Sequence, residues 1–112
     1  MSKIQNVDLK VVGVTFKNED GSSRKDHILT LAERFKGRES EIKVDLVREP
    51  TNQYDINAIK VIAEDHQIGY IGKEYASIMS PLMDDCEEFT AVVKGIGEFK
   101  NRPYCEITIN QV

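Results

Sequence analysis

The 112-residue sequence has no tryptophan, only two cysteines and three prolines, and no excess of basic charge. Each shortage removes a class of protein. Cys86 and Cys105 lie far apart and form no CxxC pair, so neither a redox motif nor a zinc ribbon is present. The expectation is free thiols in a reduced, cytoplasmic chain, with one disulfide as the alternative. His27 and His66 have no ligand spacing to those cysteines, so no metal and no cofactor are expected. The apolar runs fall far short of the ~20 residues that span a bilayer. Met1 to Gln5 lacks an apolar segment of the signal-peptide kind, so no export signal is read there. There is no GxxxxGK[ST] loop and no nucleophile elbow. With 15 Lys+Arg against 19 Asp+Glu, the formal charge is −4. That balance argues against a polybasic membrane binder and against a protein that coats nucleic acid by charge.

What is there suits one domain over residues 1–112, given the length and a 40% hydrophobic composition. Leu9 to Phe16 (LKVVGVTF) reads as a buried strand, with Gly13 marking a bulge or a close approach. Ile28, Leu31, Ala32 and Phe35 carry helical spacing, with Ser22 or Ser23 as cap and Gly37 at C′. Ile42, Val44 and Leu46 alternate with Lys43, Asp45 and Val47 as a strand, and Glu49 to Asp55 is a loop. Ala58 to Ala63 and Ile68 to Ile71 read as further strands. A second helix after Gly72 carries Tyr75, Ile78, Met79 and Leu82, with a kink or a fresh turn expected at Pro81. Phe89 to Gly97 and Pro103 to Asn110 form a hairpin around a loop at Glu98 to Arg102. Six short strands and two helices in this order suggest a mainly β, OB-like, partly open barrel. A ferredoxin-like sandwich is the alternative.

The most informative segment is Leu46 to Val61, LVREPTNQYDINAIKV. Its loop sets Asn52, Tyr54, Asp55 and Asn57 within six positions and is tied to a strand at each end. Such a loop presents fixed hydrogen-bonding groups and one aromatic face. On local grounds a well-made turn explains it equally well.

Together with VxGVTF (Val11 to Phe16) and IGYIGKEYA (Ile68 to Ala76), this segment resembles the HIRAN domain. The likeness covers roughly Val7 to Asn110. It implies an OB-like β-barrel that captures the 3′ end of single-stranded DNA and helps to remodel replication forks. Related domains stand alone or are fused to DNA-remodelling ATPases, so a DNA-processing ATPase or nuclease is an implied partner. By this resemblance Asp55 would accept a bond from the 3′-hydroxyl and repel the phosphate of a continuous strand. Tyr54 would stack, Asn52 and Asn57 would pin the loop or touch a base, and Lys73 would meet a phosphate at a helix start. Tyr70 stands where relatives can carry His. Lys10 occupies a first-strand position used for DNA contact and cannot stack. Phe99 and Tyr104, beside the last hairpin loop, are then the candidate aromatic face. Arg48 either contacts phosphate or forms an ion pair that holds the loop.

No enzymatic activity is expected. Three (Asp/Glu)-x-Lys triplets of the nuclease type begin at Asp8, Glu41 and Glu98, but a chain with 30% charged residues yields them cheaply. The competing function is a protein-interaction module that keeps the fold without a DNA pocket. Between Arg24 and Arg48 there are seven Lys or Arg against five Asp or Glu, and the acidic run Asp84 to Glu88 lies far along the chain. The charge therefore disfavours many-phosphate binding more than capture of a single end.

Overall fold

A computed structural model describes residues 3–112. The elements run β1 (Val7–Lys10), α1 (Arg24–Arg34), a 3-10 turn (Glu39–Glu41), β2 (Val44–Arg48), β3 (Ile59–Ala63), β4 (His66–Tyr70), α2 (Lys73–Asp84), β5 (Phe89–Phe99) and β6 (Arg102–Gln111). Two antiparallel three-stranded sheets result, ordered β1-β6-β5 and β2-β3-β4. This is the mainly β, unclosed barrel expected from the pattern, not the single sheet of a ferredoxin-like sandwich.

The core lies between the sheets and the helices. Ile28 and Leu31 of α1, Ile59 and Val61 of β3, Ile68 of β4, Met79 of α2, and Ile107 and Ile109 of β6 are all fully buried. The Ser23 side chain caps α1 by accepting from the Asp26 N–H at 3.1 Å. Gly37, with φ +80°, lies two residues beyond the Phe35 cap rather than at C′. α2 runs through Pro81 instead of restarting after it.

The first strand is shorter than its apolar run suggested. It leaves the sheet after Lys10 because Gly13 takes φ +72° and the Phe16 N–H bonds back to the Gly13 carbonyl. Phe16 ends 69% exposed instead of buried. In between, the chain stitches the two sheets together. The Val11 N–H donates to Cys105 O of β6, while Val12 and Tyr70 of β4 exchange two bonds of 2.9 Å each. Gly69 permits that crossing, since a Cβ there would stand 2.3 Å from Val12 O. The β5–β6 turn is also tighter than expected. Glu98 pairs with Pro103 and Phe99 with Arg102, leaving Lys100 and Asn101 as a two-residue turn with positive φ at both. Glu64 and Asp65 turn β3 into β4 in the same way.

Candidate nucleic-acid interface

The loop between β2 and β3 is organised by two side chains. Asn52 Oδ1 accepts from the N–H groups of Tyr54 (2.8 Å) and Asp55 (3.0 Å), which closes the turn. Asn52 Nδ2 in turn donates to Glu49 Oε1 at 2.6 Å. Glu49 is a hub. Its Oε1 also accepts from the Tyr70 hydroxyl at 2.8 Å, and its Oε2 lies 2.9 Å from Lys60 Nζ. Partial burial works to raise the Glu49 carboxyl, but the bonds from Asn52, Lys60 and Tyr70 outweigh it and hold it below its usual value. The same contact raises Lys60. One carboxylate thus ties the loop to β3 and β4.

At the loop's far end Asp55 Oδ1 accepts from the Asn57 N–H at 2.9 Å, and Asp55 Oδ2 has no bond among the described residues. Asn57 Oδ1 accepts from the buried Ser80 hydroxyl at 2.8 Å, which docks the loop on α2. Asn57 therefore serves as an anchor. Tyr54 is 91% exposed, and no internal packing accounts for its ring.

A cavity of about 330 Å³ opens beside this loop, bordered by Asn52, Tyr54, Asp55, Tyr70 and Lys73 together with Phe16 and Arg24. Five of the ten residues singled out by sequence meet here. Lys73 is exposed, opens α2 after Gly72 and makes no ion pair among the described residues. Lys10 stands one groove away, in a cleft of about 340 Å³ that Lys73 shares. Phe99 and Tyr104 border none of the cavities beside the loop; Tyr104 lies along Gly95 and Gly97, and Lys100 covers the Phe99 ring at 5.4 Å. Arg48 faces away. It chelates Asp84 at 2.9 and 3.1 Å, lowering that carboxyl, and donates to Ala58 O at 2.9 Å. The ion-pair alternative for Arg48 is the one realised.

Two cavity residues escaped the sequence reading. Phe16 was assigned to a buried strand, and only the positive φ at Gly13 could have signalled its exposure. Arg24 figures in the sequence only as the start of the basic stretch that ends at Arg48. The triplet acids do not assemble: Asp8 is bound by Lys94 and Thr108, which lower its carboxyl. Among the described residues no group of three or more His, Cys, Asp or Glu side chains is arranged to hold a metal ion. Nor is any helix among them long and apolar enough to cross a membrane.

The HIRAN domain model matches residues 4–110. The chain belongs to the HIRAN domain family. HIRAN domains are nucleic-acid-binding modules and generally non-catalytic. An Arabidopsis thaliana protein named as a SWI/SNF-related matrix-associated actin-dependent regulator of chromatin, subfamily A member 3-like 1, is 44% identical over 64 residues. That match covers 56% of this chain and 7% of the relative, so the chain spans a small part of that protein's length. Two solved structures share the fold. The crystal structure of the HIRAN domain of human HLTF is 23% identical with a TM-score of 0.66, over 97% of this chain and 76% of that one. A Lactobacillus plantarum protein is 22% identical with a TM-score of 0.65, over 98% and 95%. At those identities the likeness fixes the HIRAN fold alone.

Proposed function

We propose that this HIRAN chain is a non-catalytic module, one domain over 1–112 with its core in 7–110, that holds the 3′-hydroxyl end of single-stranded DNA. Its setting would be cytoplasmic DNA repair or replication-fork processing, beside a DNA-processing ATPase or nuclease. The reading rests on one cavity that Tyr54, Asp55, Tyr70 and Lys73 all border, whose size falls within the ~300–1,000 Å³ of small-molecule sites.

The free Oδ2 of Asp55 is an acceptor for a terminal hydroxyl, while the phosphate of a continuous strand would meet a like charge. Tyr54 and Phe16 offer π faces, each stacked base contributing about 1–3 kcal/mol. Lys73, at the open start of α2, suits the adjoining phosphate.

The test is fluorescence anisotropy with a 3′-hydroxyl oligonucleotide and its 3′-phosphorylated twin. The twin should bind at least about tenfold more weakly, the equivalent of one charge-assisted bond. Equal affinities would overturn end recognition, and absence of binding to either would favour an interaction module. Asp55→Asn should narrow the gap between the two. Tyr54→Ala should leave unfolding unchanged, because the ring is exposed, and should weaken binding.

A further inference from the structure

Three cavities meet at two side chains, Arg24 and the Tyr70 that lies under it. Arg24, the first residue of α1, borders the end cavity, a groove of about 720 Å³ running past Glu49 and Gln53, and another of about 390 Å³ reaching Lys17 and Gln67. Its relative exposure is 7%. Nε donates to Asn18 Oδ1 at 2.7 Å and Nη1 to Gly13 O at 2.9 Å. The guanidinium carbon sits 5.3 Å from the centroid of the Tyr70 ring. An amide oxygen, a carbonyl and a π face orient this cation, but none of them carries a counter-charge. Nη2 makes no hydrogen bond among the described residues, yet it is not sealed away from solvent.

No described carboxylate forms an ion pair with Arg24. Two carboxylates, Glu49 and Glu19, share two of these cavities with it, and Glu49 is already committed to Lys60, Tyr70 and Asn52. Asp20 accepts from the Ser22 N–H and hydroxyl. Glu19 and Asp65 are exposed, and neither bonds to Arg24. A buried guanidinium without a counter-charge carries a desolvation cost that an incoming anion offsets. Its planar donor edge suits phosphate oxygens.

We propose that Arg24 receives one of the two phosphodiesters nearest the 3′ end, drawing the strand out of the end cavity and into the adjoining groove. The proposal rests on the end-binding reading and extends it from a terminal nucleotide to a track. Asn18 and Gly13 fix the guanidinium before the ligand arrives. Tyr70 supports it from the ring face while its hydroxyl stays on Glu49. Arg24 is therefore a binding residue, and Asn18 positions it.

The experiment pairs a change in the DNA with a change in the protein. Oligonucleotides carrying one neutral methylphosphonate, at the first or the second 3′ linkage, are titrated against the wild-type chain. One of the two should bind about tenfold more weakly than the all-phosphate strand. With Arg24→Gln, all-phosphate DNA should weaken by a similar factor, the salt slope should fall by about 0.7, and the neutral linkage should cost nothing more. Arg24→Lys should recover part of the loss. Additive effects of Arg24→Gln and the neutral linkage would overturn the proposal, because a structural role for Arg24 would not be coupled to one phosphate. If Arg24→Gln fails to fold, Arg24→Lys decides: its loss should shrink when the linkage that carries the wild-type effect is neutral, and a loss that no neutral linkage changes would overturn the proposal. Wild-type binding that prefers the 3′-hydroxyl yet ignores both neutral linkages overturns Arg24 alone. Absence of any binding overturns both readings.

Discussion

A single methyl group at Gly69 should separate the two sheets. A Cβ there would stand 2.3 Å from Val12 O and 2.6 Å from Val11 Cγ1. The Val12 carbonyl would have to retreat by roughly 1 Å to regain ordinary contact. That carbonyl accepts the Tyr70 N–H at 2.9 Å, and the Val12 N–H donates back to Tyr70 O. Such a retreat stretches both bonds past useful length. Losing two backbone bonds costs about 1–3 kcal/mol, and overpacking a tight site adds about 1–3 kcal/mol. Gly69→Ala should therefore lose about 2–6 kcal/mol, a large share of the ~5–15 kcal/mol that holds such a domain together. Gly21→Ala provides the comparison. It too has positive φ, +85°, but no atom lies within 4 Å of the added carbon, so only about 1 kcal/mol of backbone strain is expected. Urea unfolding followed by circular dichroism measures both. Equal losses, or a loss below about 1 kcal/mol at Gly69, would refute the claim that this crossing joins the sheets.

Three further outcomes are expected. Arg48→Ala should lower the melting temperature, since it frees Asp84 and the Ala58 carbonyl, while leaving DNA affinity within about twofold; a selective loss of affinity would return Arg48 to the interface. Burial lowers the His27 pKa, and its Nε2 donates to Ala63 O at 2.8 Å. Its folded pKa lies below the unfolded value near ~6.5, so its contribution is full above that pH and is lost as pH falls through the folded pKa. His27→Gln should flatten the fall in stability below pH ~6.5, and an unchanged profile would contradict this. Burial pushes the Cys105 thiol up to about 12, whereas Cys86 is exposed. One thiol per native chain should react with a neutral thiol reagent and both after unfolding.

Periodicity exposed the elements whose apolar residues face one core. The spacing of Ile28, Leu31 and Phe35, and of Tyr75, Met79 and Leu82, placed both helices, and the alternation from Ile42 to Val47 placed β2, which begins two residues later, at Val44. It failed where backbone conformation overrides side-chain pattern. LKVVGVTF is apolar throughout, yet Gly13 and the bond from Phe16 to its carbonyl turn the second half outward. The Lys100–Asn101 turn places φ > 0 at two residues without the usual Asn-Gly signal, so the hairpin read as a looser loop. The interface divided in the same way. Asn52, Tyr54 and Asp55 were legible because one loop carries them, whereas Tyr70 on β4 and Lys73 on α2 were reached through the family resemblance of IGYIGKEYA. Arg24 was not, because its significance lies in Asn18, Gly13 and Tyr70, which no local pattern brings together.

The −4 charge acquires a different meaning once its partners are known. Glu49 would oppose a nucleic-acid strand if it were free, but Lys60, Tyr70 and Asn52 occupy it. Asp84, in the acidic run, is chelated by Arg48 on the side away from the cavity. Acidity near the loop is thus partly spent inside the protein, whereas Lys73 and Arg24 have no carboxylate partner among the described residues. Glu19 and Asp65 stay exposed beside the adjoining grooves, and in the end cavity Asp55 keeps one carboxylate oxygen unbonded among the described residues. A surface built to neutralise a long strand would have no use for that oxygen. One that closes on a hydroxyl end would need it, together with a few cations, and its salt dependence would be correspondingly shallow, at about 0.7 per phosphate engaged.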